Sequence, residues 1–123
     1  MIQERSLIKI ADNSGAKVVR CFRVLGGTRR RVAGIGDIVV ASVQTVEPRK
    51  KVKKKEIVRV LIVRTRNAFR RQDGSYVRFD ENAAVIVDPA KKTPLGTRMF
   101  GPFPRELKAM GHDKLMTMVK DIV

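Results

Sequence analysis

Tryptophan is absent from this 123-residue chain, tyrosine and histidine occur once each, and Cys21 is the single cysteine. One cysteine excludes an internal disulfide framework and any cysteine-rich zinc site. With aromatics at only 5%, the core has to be built from Val, Ile and Leu. Acidic side chains are the other shortage: 12 Asp and Glu stand against 27 Lys and Arg, for a formal net charge of +15. No apolar run approaches the roughly 20 residues of a membrane-spanning helix. The basic segments read as strand and loop, not as an amphipathic surface helix, so no membrane partner is expected. The opening Met1-Ile2-Gln3-Glu4 lacks the basic and apolar regions of a secretory signal. Together with the lone cysteine, this suits a reducing, intracellular setting.

Cations, by contrast, are abundant and unevenly placed. Residues 1–79 hold 20 of them against 6 acids, whereas residues 80–123 hold 7 against 6. The densest run is Arg49-Lys50-Lys51-Val52-Lys53-Lys54-Lys55, set between two apolar segments. Six cations on one connection repel one another unless a polyanion lies against them. A second cluster, Arg29-Arg30-Arg31, follows Gly26-Gly27. Arg64, Arg66, Arg70, Arg71 and Arg78 form a third, opposed only by Asp73. The planar fork of arginine binds phosphate in a bidentate manner and stacks on bases. An ordinary solvated face would interleave Glu and Asp, so these clusters point to a nucleic-acid backbone. No helix-turn-helix, zinc-finger or basic-zipper pattern is present, which favours RNA over DNA.

The apolar pattern is that of a β-rich fold. Strands are expected at Leu7–Ile10, Lys17–Leu25, Ile38–Val46, Ile57–Thr65 and Ala83–Val87, with a hairpin at 69–79 turning on Asp73-Gly74. Between Lys17 and Leu25 the assignment of faces is ambiguous, because Arg20 and Arg23 interrupt both. The run Val60 to Val63 is continuously apolar, as expected of a strand covered on both sides. Short strands at this spacing favour a closed barrel, which leaves no exposed edge. After Asp88 the chain is punctuated by Pro and Gly. A short helix is expected over Arg105–Met110, and a second capped by Asp113, whose Leu115, Met118, Val119 and Ile122 stripe would pack on the barrel.

Nothing here assembles a catalytic site. His112 reads as a surface-loop residue with no second ligand beside it, and Cys21 as a small buried hydrophobe in a strand. Gly34-Ile35-Gly36 lacks the third glycine of a dinucleotide site. No enzymatic activity, cofactor or metal is expected.

The ordered motifs Ala11-Asp12-Asn13-Ser14-Gly15-Ala16, Val24-Leu25-Gly26-Gly27, Gly36-Asp37-Ile38, Arg78-Phe79-Asp80 and Gly96-Thr97-Arg98-Met99-Phe100-Gly101-Pro102 resemble universal large-subunit ribosomal protein fourteen over nearly the whole chain. The resemblance implies a mainly β fold. A small five-stranded barrel over 1–88 would carry a projecting ribbon around 46–57, with loops and short helices over 89–123, all in one domain. It also implies a structural role in the large subunit, with binding to large-subunit rRNA and bridges to small-subunit rRNA. The RNA-binding cations would be Lys17, Arg20 and Arg23 of the second strand, Arg29, Arg30 and Arg31, and Arg49, Lys50, Lys51, Lys53, Lys54 and Lys55 of the ribbon. Arg64, Arg66, Arg70, Arg71 and Arg78 would complete the set. Protein contacts would fall at Thr97, Arg98, Phe100, Arg105 and Lys114, with large-subunit proteins three and nineteen and the ribosome silencing factor as partners. The protein would then reside in the ribosome, in the cytoplasm or in an organelle. The competing reading is a free-standing nucleic-acid-binding barrel acting as an RNA chaperone or architectural protein. Val32 replaces an aromatic common in relatives, and the ending Met116 to Val123 departs from theirs, which allows a longer final helix.

Overall fold

The computed structural model describes residues 2–3, 5–25, 32–48, 52–88 and 93–123, and the side chain of Asp113 lies outside that description. In chain order the strands are β1 (Ile2–Gln3), β2 (Leu7–Ile10), β3 (Ala16–Val24), β4 (Val32–Ala33), β5 (Ile38–Val46), β6 (Ile57–Arg64), β7 (Phe69–Arg70), β8 (Tyr76–Val77) and β9 (Ala83–Val87). They are followed by β10 (Pro102–Phe103), α1 (Glu106–Ala109), α2 (Asp113–Met116) and β11 (Asp121–Ile122). Strands β2, β3, β5, β6 and β9 form a closed barrel in that order. Its seam is the parallel pairing of β2 with β9, Lys9 opposite Ala83 and Ile10 opposite Ala84, while the other junctions are antiparallel.

Alternation along the strands sorts the side chains into two cores. Ile8, Val19, Cys21, Val39, Ala41, Val43, Val60, Ile62, Ala84 and Ile86 fill the barrel interior, capped by Ile2 and Ala33 from the small β1–β4 pair. Leu61, Val63, Ala83, Val85 and Val87 point the other way and pack against Met99, Phe103, Leu107, Leu115 and Met116. The second half of β6 and all of β9 are therefore buried on both faces, which accounts for their unbroken apolar runs. The 99–119 segment shields this one side, so the outer surfaces of β2, β3, β5 and the first half of β6 stay open to solvent.

A register shift between Cys21 and Arg23 resolves the ambiguous faces of β3. Val19, Cys21 and Val24 point inward while Phe22 and Arg23 both face out. An extra residue in one strand of an antiparallel pair produces this change of phase.

The two helices are short, as expected, each a single turn. Two expectations are corrected. The final helix does not extend along the Leu115 stripe. Leu115 is buried and Met118 and Val119 pack beside it, but Ile122 is exposed in β11, parallel to β10. The β-branched Val119, Ile122 and Val123 favour the extended form, and Val123 N–H donates to the Phe103 carbonyl at 3.0 Å. His112 is buried, not a surface-loop residue. Its backbone links the two helices, donating to Leu107 and accepting from Met116.

The β5–β6 connection keeps close to the barrel in its described part. Val52 joins the interior core. Past the last ladder pair, Ser42 with Ile57, Val43 exchanges two further bonds: its N–H donates to Glu56 and its carbonyl accepts from Lys55. Lys55 takes the left-handed conformation, φ 67°, to close this turn.

Candidate nucleic-acid interface

Strands β3, β5 and β6 contain no Asp or Glu. Their outward cations accordingly meet no carboxylate within the sheet. Arg23 is in register with Val40, and Val40 with Arg59, so two exposed guanidinium groups flank one partly buried valine across three strands. Adjacent strands lie about 4.8 Å apart, which puts the two backbones roughly 10 Å from each other. Arg20 lies on the same face opposite Ser42, and Lys17 is exposed farther along β3. Arg59 was not among the residues expected from the sequence. The alternation Ile57, Val58, Arg59, Val60 could have found it, because Val60 is the interior position and Arg59 must then face out.

Lys53, Lys54 and Lys55 are exposed, and Glu56 Oε2 accepts the Lys53 N–H at 3.0 Å, so the only acid of this turn is used to shape it. Arg29, Arg30, Arg31, Arg49, Lys50 and Lys51 lie outside the described residues.

The third arginine cluster divides. Arg66, Arg70 and Arg78 are exposed. Arg64 is turned inward and only 6% accessible. Its Nη1 donates to the carbonyls of Phe100 at 2.8 Å and Pro102 at 3.2 Å, Nη2 approaches Glu81 at 3.3 Å, and the guanidinium lies 5.7 Å from the Phe103 ring centre. Burial lowers its pKa and Glu81 opposes the shift. Arg71 is likewise committed: Nη2 donates to the Val123 main-chain oxygen at 2.7 Å and Nε approaches Glu106 at 2.8 Å. Nε has no hydrogen-bond acceptor in line with its N–H, so the hydrogen bond to Glu106 runs from Nη2 to Oε2 at 3.4 Å beside this ion pair. Arg64 and Arg71 thus join the barrel and hairpin to the C-terminal segment, their guanidinium groups engaged within the protein. Sequence could not distinguish them from their neighbours, because their partners lie 17 to 52 positions away.

The tract holding Thr97, Arg98 and Phe100 is fixed by the turn after β2. Asn13 Oδ1 accepts from the backbone N–H of Thr97 and Arg98, at 2.8 and 3.1 Å, and Asn13 Nδ2 donates to Thr97 Oγ1. Asp12, which is buried, accepts from Ser14 N–H and Oγ–H and from Ile86 N–H. Desolvation raises its pKa, with the Ser14 and Ile86 bonds opposing. Phe100 N–H donates to Ala11 at 2.7 Å, yet its ring is 51% exposed. Arg105 and Lys114 are exposed on the α1 and α2 side. Among the described residues no cluster of His, Cys, Asp and Glu is arranged to hold a metal, and no helix is long and apolar enough to cross a membrane.

A closed β-barrel with one side sealed by its own C-terminal segment and the opposite side bearing cations that have no ion-pair partner among the described residues defines a small basic β-barrel protein. The chain belongs to the ribosomal protein L14p/L23e family, whose model matches residues 1–123, the entire sequence. Membership gives it a structural role in the large ribosomal subunit.

Proposed function

We propose that this protein binds large-subunit rRNA through the open side of its barrel and the outer face of its hairpin, as a single unit spanning 1–123. The observation that carries this reading is the run of outward cations Lys17, Arg20, Arg23 and Arg59 on strands that contain no acid. The basic connection at 49–55 adds a nonspecific pull, while the arginines set orientation on the backbone. If about 6–10 phosphates are neutralised, affinity should drop by roughly 10³–10⁵ between 50 and 200 mM salt, a rule derived for duplex DNA.

The nearly neutral 80–123 segment serves protein contacts. Thr97, Arg98, Phe100, Arg105 and Lys114 form its exposed polar and aromatic surface. Large-subunit proteins three and nineteen and the ribosome silencing factor are the partners proposed there, next to bridges with small-subunit rRNA. The Phe100 backbone, held by Ala11 and Arg64 beneath an exposed ring, supports this assignment, since less chain freedom is lost on docking.

The test is co-sedimentation of tagged protein with large subunits on a gradient, run beside an Arg20→Ser/Arg23→Ser/Arg59→Ser variant. Wild type is expected in the subunit fractions and the variant shifted toward free protein. Wild type remaining in the free fractions would sink the reading.

A further inference from the structure

The β7–β8 hairpin has two faces with different uses. Phe69, Arg71, Val77 and Phe79 alternate toward the body, where Arg71 lies 5.9 Å from the Phe69 ring centre and reaches Glu106. The opposite alternation, Arg70, Tyr76 and Arg78, faces solvent. Arg70 is paired directly with Tyr76 across the ladder, which sets their Cβ atoms about 5 Å apart. Arg78 follows Tyr76 by two positions on the same face. Tyr76 is 69% exposed, the most exposed large hydrophobic side chain among the described residues.

The surroundings favour an anion. Arg78 continues into a polar groove of about 550 Å³ lined also by Arg66, Asn67 and Asn82. Four carboxylates lie near, of which Glu81 and Glu106 are already paired with Arg64 and Arg71. Asp73 is folded into its own turn, its Oδ1 accepting from Ser75 N–H and Oγ–H, and Asp80 lines the groove. Two exposed arginines, Arg70 and Arg78, thus flank a ring that no element covers among the described residues. Strand propensity explains a tyrosine in a hairpin, but not one left so exposed between two guanidinium groups.

We infer that Tyr76 is a stacking platform for an unpaired RNA base, with Arg70 and Arg78 holding the phosphates on either side of that nucleotide. The inference rests on the RNA-binding reading above and adds the form of RNA recognised here. A base inside a helix has both faces occupied, so an exposed ring can stack only on a nucleotide splayed from a loop, bulge or end. The phenol is suited to the task, because its ring is apolar while its hydroxyl stays hydrated.

Tyr76 is the only tyrosine and the chain has no tryptophan, so its emission reports this ring alone. The experiment titrates the full chain at low salt with single-stranded oligoadenylate, a fully paired RNA stem of equal charge, and polyglutamate. Affinities of Tyr76→Val and Tyr76→Phe follow from anisotropy of labelled oligoadenylate. The single strand is expected to quench the emission more than the stem does. Tyr76→Val should bind it roughly 5- to 100-fold more weakly, and Tyr76→Phe like wild type. Oligoadenylate that binds with unchanged emission, and equally well to Tyr76→Val, overturns the stacking role and leaves RNA binding standing. If neither RNA binds, both readings fall. Polyglutamate that quenches the ring and displaces the oligonucleotide at equal charge would assign the face to an acidic protein segment and overturn the inference.

Discussion

Arg64 Nη1 lies 2.8 Å from the carbonyl oxygen of Phe100, so a cation at the end of a barrel strand fixes the backbone beneath an exposed ring 36 residues away. The same guanidinium reaches Pro102, Glu81 and the Phe103 face. One side chain thus carries much of the joint between barrel and C-terminal segment. Arg64→Ala leaves two carbonyls without this donor and should destabilise the fold by about 2–4 kcal/mol. Arg64→Lys should recover less than half of that loss, because an ammonium cannot reproduce the fork. Urea unfolding midpoints measure both. Equal stability of Arg64→Lys and wild type would show that charge alone suffices.

Glycine at 101 is demanded by the same joint. It adopts φ 82°, and a Cβ there would lie 2.6 Å from Arg64 Nη1. Since Arg64 is held by several partners, it cannot swing clear. Gly101→Ala is expected to lower stability by about 2–4 kcal/mol. Gly74→Ala, at φ 91° in the hairpin turn with open space around it, should cost about 1 kcal/mol from backbone strain alone. Thermal melts of the pair separate clash from strain.

Two carboxylates give opposite acid responses. Lys9, hydrogen-bonded and ion-paired to Glu81, holds its pKa below 4.5, with Arg64 adding to the effect. Its stabilisation is present above pH 4.5 and is lost as pH falls through the lower folded value. Burial raises the pKa of Asp12 above 3.8. Its contribution is complete below pH 3.8 and is lost as pH rises through the raised folded value. Glu81→Gln should therefore flatten the fall of stability below pH 4.5. Asp12→Asn should steepen the loss between neutral pH and pH 4, and lower stability overall, since one amide cannot accept from both Ser14 and Ile86. Denaturation at a series of pH values checks both slopes.

Arginines on the open side and arginines in the joint should separate by assay. Arg23→Ser and Arg59→Ser are each expected to reduce the salt slope of RNA binding by about 1, with stability within about 0.5 kcal/mol of wild type. Arg71→Ser should leave the slope nearly unchanged and destabilise by about 1–3 kcal/mol through loss of Glu106 and the Val123 oxygen. An Arg59→Ser variant with unaltered salt dependence would remove that residue from the interface.

The barrel was legible because its signals are local. Alternation fixed β5 to the residue, and the unbroken Val60–Val63 run announced a strand covered twice. What failed needed tertiary information. The Leu115 stripe has helical spacing for one turn, but the helix ends at Met116 and Ile122 lies in a strand paired with Phe103. The roles of Arg64 and Arg71 depend on partners supplied by distant segments, so charge counting placed them outside when they belong within. Arg59 was missed for the converse reason. It stands in an apolar run, and only its register with Arg23 gives it company.

Cys21 sits fully buried in the middle of β3, one of the five staves of the closed wall. A thiol reagent can meet that sulfur only when the wall parts, so its labelling counts openings of the barrel. The single cysteine is thus a clock for how often the free protein loosens, and RNA or subunit binding should slow it.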